Sequence, residues 1–328
     1  MNRIEDSSVA VPLAWDEGEV APRINLGINT CFAPKRWPEP DRWTSLIVDD
    51  LGLRHCQVSL DLVDPALEPA VSARYARQVT QAAEAAGLTI HSTFTGLAAY
   101  STNQLLHPAP EIRDAATRWF QRAIDLTAAF GAIGTGGFVG SFSATDAADD
   151  QRRGALLDEL TDRLVALAAY AHHAGIPFLM FENMSGPREY GHQLDEATAL
   201  EHTLAVGEST SSASPWLLCL DLGHTCALTT HTDSDDPMAW LTTAWHRPPV
   251  LQIQQSSRGA DRHWPFTKGH NREGLLRREP VMHALRQWPV SDIYLFLEII
   301  HSAEADDGTV LRDLRESVAY WRAGGALA

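Results

Sequence analysis

Four short apolar runs in the second half of this chain each end on a residue able to hold a cation. They are PFLMFE ending at Glu182, WLLCLD at Asp221, VLQIQ at Gln254 and IYLFLE at Glu298. The ends are spaced 39, 33 and 44 residues apart, the length of one strand-plus-helix unit. Parallel strands are covered on both faces and read as continuous apolar runs rather than alternating ones. A carboxylate or amide closing such a run is out of place in a core, because burying it without a partner is unfavourable. Four of them, one per strand, make sense if the strand ends converge on a common ion. A (β/α)8 barrel arranges its functional residues in that way.

The first half carries the same alternation. INLGIN (24–29), HCQVSLD (55–61), LTIHSTF (88–94) and GAIGTGG (131–137) bring the strand candidates to eight. Helical patterns fall at 65–86, 110–130, 149–174, 194–206, 237–244, 279–287 and 308–323. The longest is stopped by Gly175-Ile176-Pro177, a glycine and proline pair typical of helix ends. This regularity implies a parallel sheet. Eight units in 328 residues favour a closed α/β barrel, a single (β/α)8 TIM-barrel domain over 22–325, preceded by a loose polar arm over 1–21. GAIGTGGFVG matches neither a P-loop nor a dinucleotide fingerprint. Its small residues are expected to let the barrel wall lie close to a ligand.

Composition narrows the partners. A formal net charge of −16 argues against nucleic acid or an anionic membrane surface, both of which recruit basic patches. No apolar run approaches the length of a membrane span, and the N-terminus has no secretory h-region. The four cysteines, Cys31, Cys56, Cys219 and Cys226, fit no zinc-site spacing. A reduced cytoplasm is the expected location.

The ligand-type residues carry further hints. Asn183 follows Glu182, and His224 lies three beyond Asp221, within reach of the same small region. Gln252 and Gln254 share a strand face. A glutamine pair inside a barrel needs partners, either a metal ion or neighbouring hydrogen-bonding groups. Two Glu, one Asp and one amide oxygen form a hard, all-oxygen set. It suits a divalent ion, with Mn2+ favoured and Mg2+ or Co2+ compatible.

At these residues the chain resembles the xylose-isomerase-like barrel superfamily, which holds sugar isomerases, ketose 3-epimerases, inosose dehydratases and hydroxypyruvate isomerases. The family pattern is Glu on strand 5, Asp-x-x-His on strand 6, His or Gln on strand 7 and Glu on strand 8. Glu182, Asp221 with His224, Gln254 and Glu298 match it. Gln on strand 7 resembles the hydroxypyruvate isomerase and inosose dehydratase branches more than the ketose epimerases. The loops ENMSGPREYGH and QQSSRGADRHWPFTKGHNREG resemble the tetrulose-phosphate 3-epimerases.

The resemblance implies a metal held by Glu182, Asp221, Gln254 and Glu298. Glu182 and Glu298 would be the catalytic pair. One removes the proton alpha to a metal-bound carbonyl, and the other returns a proton to the opposite face of an enediolate. His224, Arg262, His263 and Arg188 would bind substrate. The expected function is a metal-dependent epimerase or isomerase in carbohydrate metabolism, acting on a short ketose phosphate. A tetrulose phosphate such as D-erythrulose 1-phosphate is favoured. Free-ketose 3-epimerisation, hydroxypyruvate isomerisation and an inosose-dehydratase-like lyase are the alternatives. A phosphate needs cations at the barrel rim. Arg188, Arg258, Arg262, His263, Lys268, His270 and Arg272 are the candidates, and a solvated surface loop is the plainer reading of most of them. Trp37, Phe94, Trp264 and Phe266 are candidates to wall the sugar. Assembly into a homo-oligomer is left open.

Overall fold

The structure, a computed structural model, describes residues 21–208 and 212–323. Apart from Ala21, the expected arm over 1–21 lies outside the described residues, as does the domain end at 325. The strands among these residues are β1 (Arg23–Asn29), β2 (His55–Ser59), β3 (Thr89–Phe94), β4 (Gly134–Gly137), β5 (Phe178–Glu182), β6 (Trp216–Asp221), β7 (Val250–Ile253), β8 (Gln255–Ser257), β9 (Ala260–Trp264) and β10 (Asp292–Leu297). All but β8 and β9 run parallel and close one barrel, in the order β1-β10-β7-β6-β5-β4-β3-β2. The ring shuts where β10 pairs with β1, Arg23 opposite Asp292 and Ile28 opposite Leu297. The expected (β/α)8 barrel is therefore present. β8 and β9 form a separate antiparallel hairpin in a stretch expected to be a loop.

The continuous apolar runs have a simple origin. Leu179 and Phe181, Leu218 and Leu220, Leu251 and Ile253, and Leu295 and Leu297 pack with helix residues such as Leu160, Leu164 and Val281. Their strand neighbours Phe178, Met180, Cys219, Val250 and Phe296 form a second cluster on the inward face. Both faces are apolar, so the two-residue period vanishes from the sequence. Glu182, Asp221, Gln254 and Glu298 extend the inward rows at the C-terminal ends of their strands.

The helices start and stop on local signals. Pro69, Pro110 and Pro237 each open a helix, where the missing N–H has no partner to lose. Asp149 caps Asp150–His173 by accepting from the Arg152 N–H. Gly175 adopts φ +76° beyond that helix. Between β1 and β2, where no helix is expected, Pro40–Ser45 forms one that continues as a π-turn over Leu46–Asp50. It buries Trp43, Leu46 and Ile47 against the barrel core.

β4 overturns one expectation. A Cβ on Gly134 would lie 2.1 Å from the Phe178 ring, and one on Gly136 2.0 Å from the Met180 carbonyl oxygen. These glycines make room for β5, not for a ligand. No helix among the described residues is long and apolar enough to cross a membrane.

Candidate active site

Glu182, Asp221 and Glu298 meet at the C-terminal mouth of the barrel. They are 3%, 0% and 4% exposed, respectively, and one oxygen from each lies within 4.8 Å of the others. Side-chain and backbone bonds hold them in place. Asn183 and Asp221 clamp β5 to β6 reciprocally: Asn183 Nδ2 donates to the Asp221 carbonyl (3.1 Å) and Asn183 Oδ1 accepts from the Asp221 N–H (2.8 Å). Asp221 Oδ1 also accepts from the Gly223 N–H at 2.7 Å. Glu298 Oε1 accepts from Asn29 Nδ2 at 3.3 Å. Asn29 in turn joins Gln57 on β2, which also takes a bond from Gln252 at 2.7 Å. Gln252 is thus a structural partner inside the barrel, one floor below the site.

A narrow cleft opens over these carboxylates. Its apolar wall includes Phe94, Tyr100, Phe138 and Met184, and Cys31, Asp61, His224, Asp261 and His263 also line it. Of the expected aromatics only Phe94 reaches it. Trp37 and Phe266 belong to the core, and Trp264 lies tilted against His270, with ring centres 5.2 Å apart.

Asp261 is the residue that sequence reasoning missed. Its Oδ2 lies 3.1 Å from His224 Nε2 and 3.3 Å from His263 Nε2, and its Oδ1 accepts from Gln254 Nε2 at 2.7 Å. A signal for it exists. Arg258-Gly259 is a turn, with Gly259 at φ +75°, and the following Asp261-Arg262-His263 alternates. Asp261 and His263 therefore share one face of β9 and Arg262 takes the other. The Arg262 guanidinium sits 5.0 Å from the Trp264 ring centre, and its Nε donates to Ser257 Oγ at 3.2 Å. Arg262, expected to bind substrate, is not among the residues that line the cleft.

The other rim cations are dispersed. Arg258 pairs with Asp235 at 3.2 Å. Arg188 is exposed on the loop after β5 and carries no ion pair among the described residues. Among those residues no lysine or arginine lines the cleft.

The charges explain what the pocket needs. Burial is the main force raising the Glu182 and Glu298 carboxyls well above their usual range. Their acidic neighbours, Asp221 among them, add to it, and His224 partly offsets it. Burial works against charge on His224 too. Asp221, Asp261 and Glu182 overcome it and hold the imidazole well above its ordinary value. Its Nδ1 hydrogen-bonds to the Asn183 carbonyl at 2.7 Å. Burial also opposes the Asp261 charge, yet His224 and His263 hold that carboxyl far below its usual range. Glu298 Oε2 is buried without a hydrogen-bond partner. Among the described residues no lysine or arginine lines the cleft beside these buried carboxyls, so a cation there would offset the cost of charging them. Glu182, Asp221 and Glu298 fit a hard divalent ion.

Gln254 reaches this group differently from expectation. Its Nε2 donates to Asp221 Oδ2 at 3.2 Å as well as to Asp261, and its Oε1 accepts from the His263 N–H at 2.5 Å. The amide oxygen is turned away from the three carboxylates.

A family model for the xylose isomerase-like TIM barrel matches residues 47–323. The D-erythrulose 1-phosphate 3-epimerase of Brucella abortus (strain 2308) is 28% identical over 300 residues, covering 91% of this chain and 95% of that protein. Among solved structures, a Rhodospirillum rubrum ATCC 11170 protein provisionally named a xylose isomerase is 34% identical. The two superpose with a TM-score of 0.83 over 92% of this chain and 99% of that one. A D-psicose 3-epimerase crystallised with D-fructose shares the fold at 14% identity, with a TM-score of 0.64 over 91% of this chain and 98% of its own.

Proposed function

The chain belongs to the xylose isomerase-like TIM barrel family and is an isomerase-class sugar enzyme, and from that premise we propose that it epimerises a short ketose phosphate with the help of a divalent ion. The observation that carries the reading is the pair Glu182 and Glu298. They end strands separated by β6 and β7 in the ring, and both face one cleft. Two carboxylates on different sides of a substrate suit removal of a proton from one face and its return to the other.

Glu182, Asp221 and Glu298 would hold the ion, which when bound polarises the substrate carbonyl and acidifies the adjacent C–H. One glutamate takes that proton and the other delivers one to the opposite face, so the formula is unchanged and one stereocentre inverts. His224 and His263 bind substrate oxygens. The apolar wall of Phe94, Phe138 and Met184 keeps water from the reacting carbon.

A tetrulose phosphate such as D-erythrulose 1-phosphate is the favoured substrate, supported by the Brucella relative. Arg188 is the rim cation best placed for the phosphate, because its loop also supplies Met184 to the cleft wall and it has no ion pair among the described residues. Mn2+ is the favoured ion and the cytoplasm the favoured location. A free-ketose epimerase is the second reading, favoured by the absence of lysine and arginine from the described cleft lining.

Arg188→Ala separates the two. On the first reading it raises KM for the phosphorylated substrate by roughly 10–100-fold, the loss of a charged hydrogen bond, and leaves KM for the free ketose nearly unchanged. Steady-state kinetics on both substrates provide the check. Equal KM changes, with better turnover of the free sugar, would favour the second reading.

A further inference from the structure

We propose that Lys35 is a second cation for the substrate's phosphate, meeting it where the cleft opens into a groove on the β1 side of the barrel mouth. The inference rests on the phosphorylated-substrate reading above and names a further residue that would hold the anion.

The cleft does not end at its apolar wall. Cys31, Asp61, Leu97 and Ile300 line it and also line a groove that runs outward beside the loops after β1 and β10. A substrate whose carbonyl reaches the buried carboxylates has room to extend its other end along this groove. One side chain straps the two loops together. The Arg36 guanidinium donates to the Ala305 and Ser302 carbonyls at 2.8 and 2.6 Å and pairs with Asp307 at 2.6 Å. The groove wall is thus fixed by the fold itself.

The acids along the groove are already engaged. Asp61 accepts from the Leu97 and Ala98 N–H groups at 2.8 and 2.9 Å, and from Ser59 Oγ at 3.0 Å. Asp306 accepts from the Thr309 N–H at 2.9 Å, at the start of the helix Asp307–Arg322. Asp307 has Arg36. Lys35 lines the same groove, is exposed and forms no ion pair among the described residues. In a protein with a formal net charge of −16, an uncommitted ammonium beside the cleft reverses the local sign, which an anionic substrate needs.

The backbone at Lys35 carries an independent mark. The Arg36 N–H donates to the Ala33 carbonyl at 3.0 Å, and between them Pro34 is followed by Lys35 at φ +65°. That is the pattern of a type II turn, with proline at its second position and a positive φ at its third. The third position favours glycine, and a residue with a side chain there accepts backbone strain that glycine avoids. The strain sets a charged side chain where glycine would leave none. Arg188 follows β5, and β1 and β5 stand opposite each other in the ring. The two cations therefore approach the mouth from opposite sides. A phosphate has three terminal oxygens and can accept from both at once.

The test uses the full-length, Mn2+-loaded enzyme. Inorganic phosphate is the probe, as a competitive inhibitor, beside steady-state kinetics on D-erythrulose 1-phosphate and free D-erythrulose. Lys35→Gly is the informative variant, because glycine takes φ +65° without strain and keeps the turn. The inhibition constant for phosphate and KM for the phosphorylated substrate are each expected to rise about 10-fold, the low end for a charged hydrogen bond because the site is exposed. Selectivity for the phosphorylated over the free ketose falls by a similar factor. The melting temperature matches or exceeds that of the parent, and Lys35→Arg, which restores a cation, recovers most of the affinity. If the parent prefers the phosphorylated substrate and Lys35→Gly leaves both constants unchanged, the role of Lys35 is overturned and the phosphorylated-substrate reading stands. Equal losses on both substrates, or a Lys35→Arg protein no better than Lys35→Gly, overturn it as well. A parent with no preference for the phosphorylated substrate and no inhibition by phosphate overturns that reading and this inference with it.

Discussion

Glu182→Gln and Glu298→Gln each lower kcat by about 10²–10⁴-fold, the usual contribution of a positioned acid or base. Each substitution keeps the side-chain volume and one carbonyl oxygen, but removes the group able to take a proton. Both residues are buried and raised well above the ordinary carboxylate range on the protein alone. An amide is easier to bury than a carboxylate in such a place, so neither variant should lose stability. The loss therefore appears in turnover and not in melting temperature. Kinetics paired with thermal unfolding separate the two. If either variant turns over within a few-fold of the parent, that residue is not a proton-transfer group.

Gly136→Ala strongly destabilises the fold and lowers the yield of folded protein. Gly136 stands at φ +143°, and a Cβ there would be 2.0 Å from the Met180 carbonyl oxygen. That oxygen belongs to β5, whose Met180 pairs with Gly136 across the sheet, so it cannot swing aside. Backbone strain of about 1–3 kcal/mol combines with an overpacking penalty of about 1–3 kcal/mol. Together these come to about 2–6 kcal/mol, a large part of a typical domain stability of about 5–15 kcal/mol. Gly154→Ala is the matched control. It lies inside Asp150–His173 with nothing within 4 Å of a Cβ. There alanine stabilises by up to about 1 kcal/mol. Soluble yield and melting temperature of both variants provide the check. A Gly136→Ala protein that melts with the parent would mean that β4 and β5 are not packed as described.

The barrel was legible because its strands are buried on both faces while its helices carry their own start and stop signals. Glu182, Asp221 and Glu298 were legible for a related reason: each is the first polar residue in an inward row of apolar ones. Position alone did not reveal what the side chains do next. Gln254 ends its row as the acids do. Which end of its amide faces them depends on Asp261 and the His263 N–H, residues that return only through the hairpin. Asp261 lies in a polar stretch that reads as loop. Its role follows only once β8 and β9 pair and turn it inward. Arg262 was drawn to the site by its charge, but the same alternation that brings Asp261 and His263 to the cleft sends Arg262 to Trp264. The β4 glycines were open to two readings, close approach to a ligand or to a strand, and only the neighbouring backbone distinguishes them. The helix at Pro40–Ser45 is barely more than a turn long, too short for its period to stand out.

The central claim is proton exchange at the carbon beside the carbonyl, supported by a bound ion. The most direct measurement incubates the Mn2+-loaded protein with D-erythrulose 1-phosphate in deuterated water and follows hydrogen at C3, the single stereocentre, by NMR and mass spectrometry. The account predicts solvent deuterium at C3 of the product, inversion there without loss of water, and no exchange after chelation until Mn2+ is restored. Product formed without solvent deuterium, loss of water from the substrate, or full turnover by the chelated protein would contradict it.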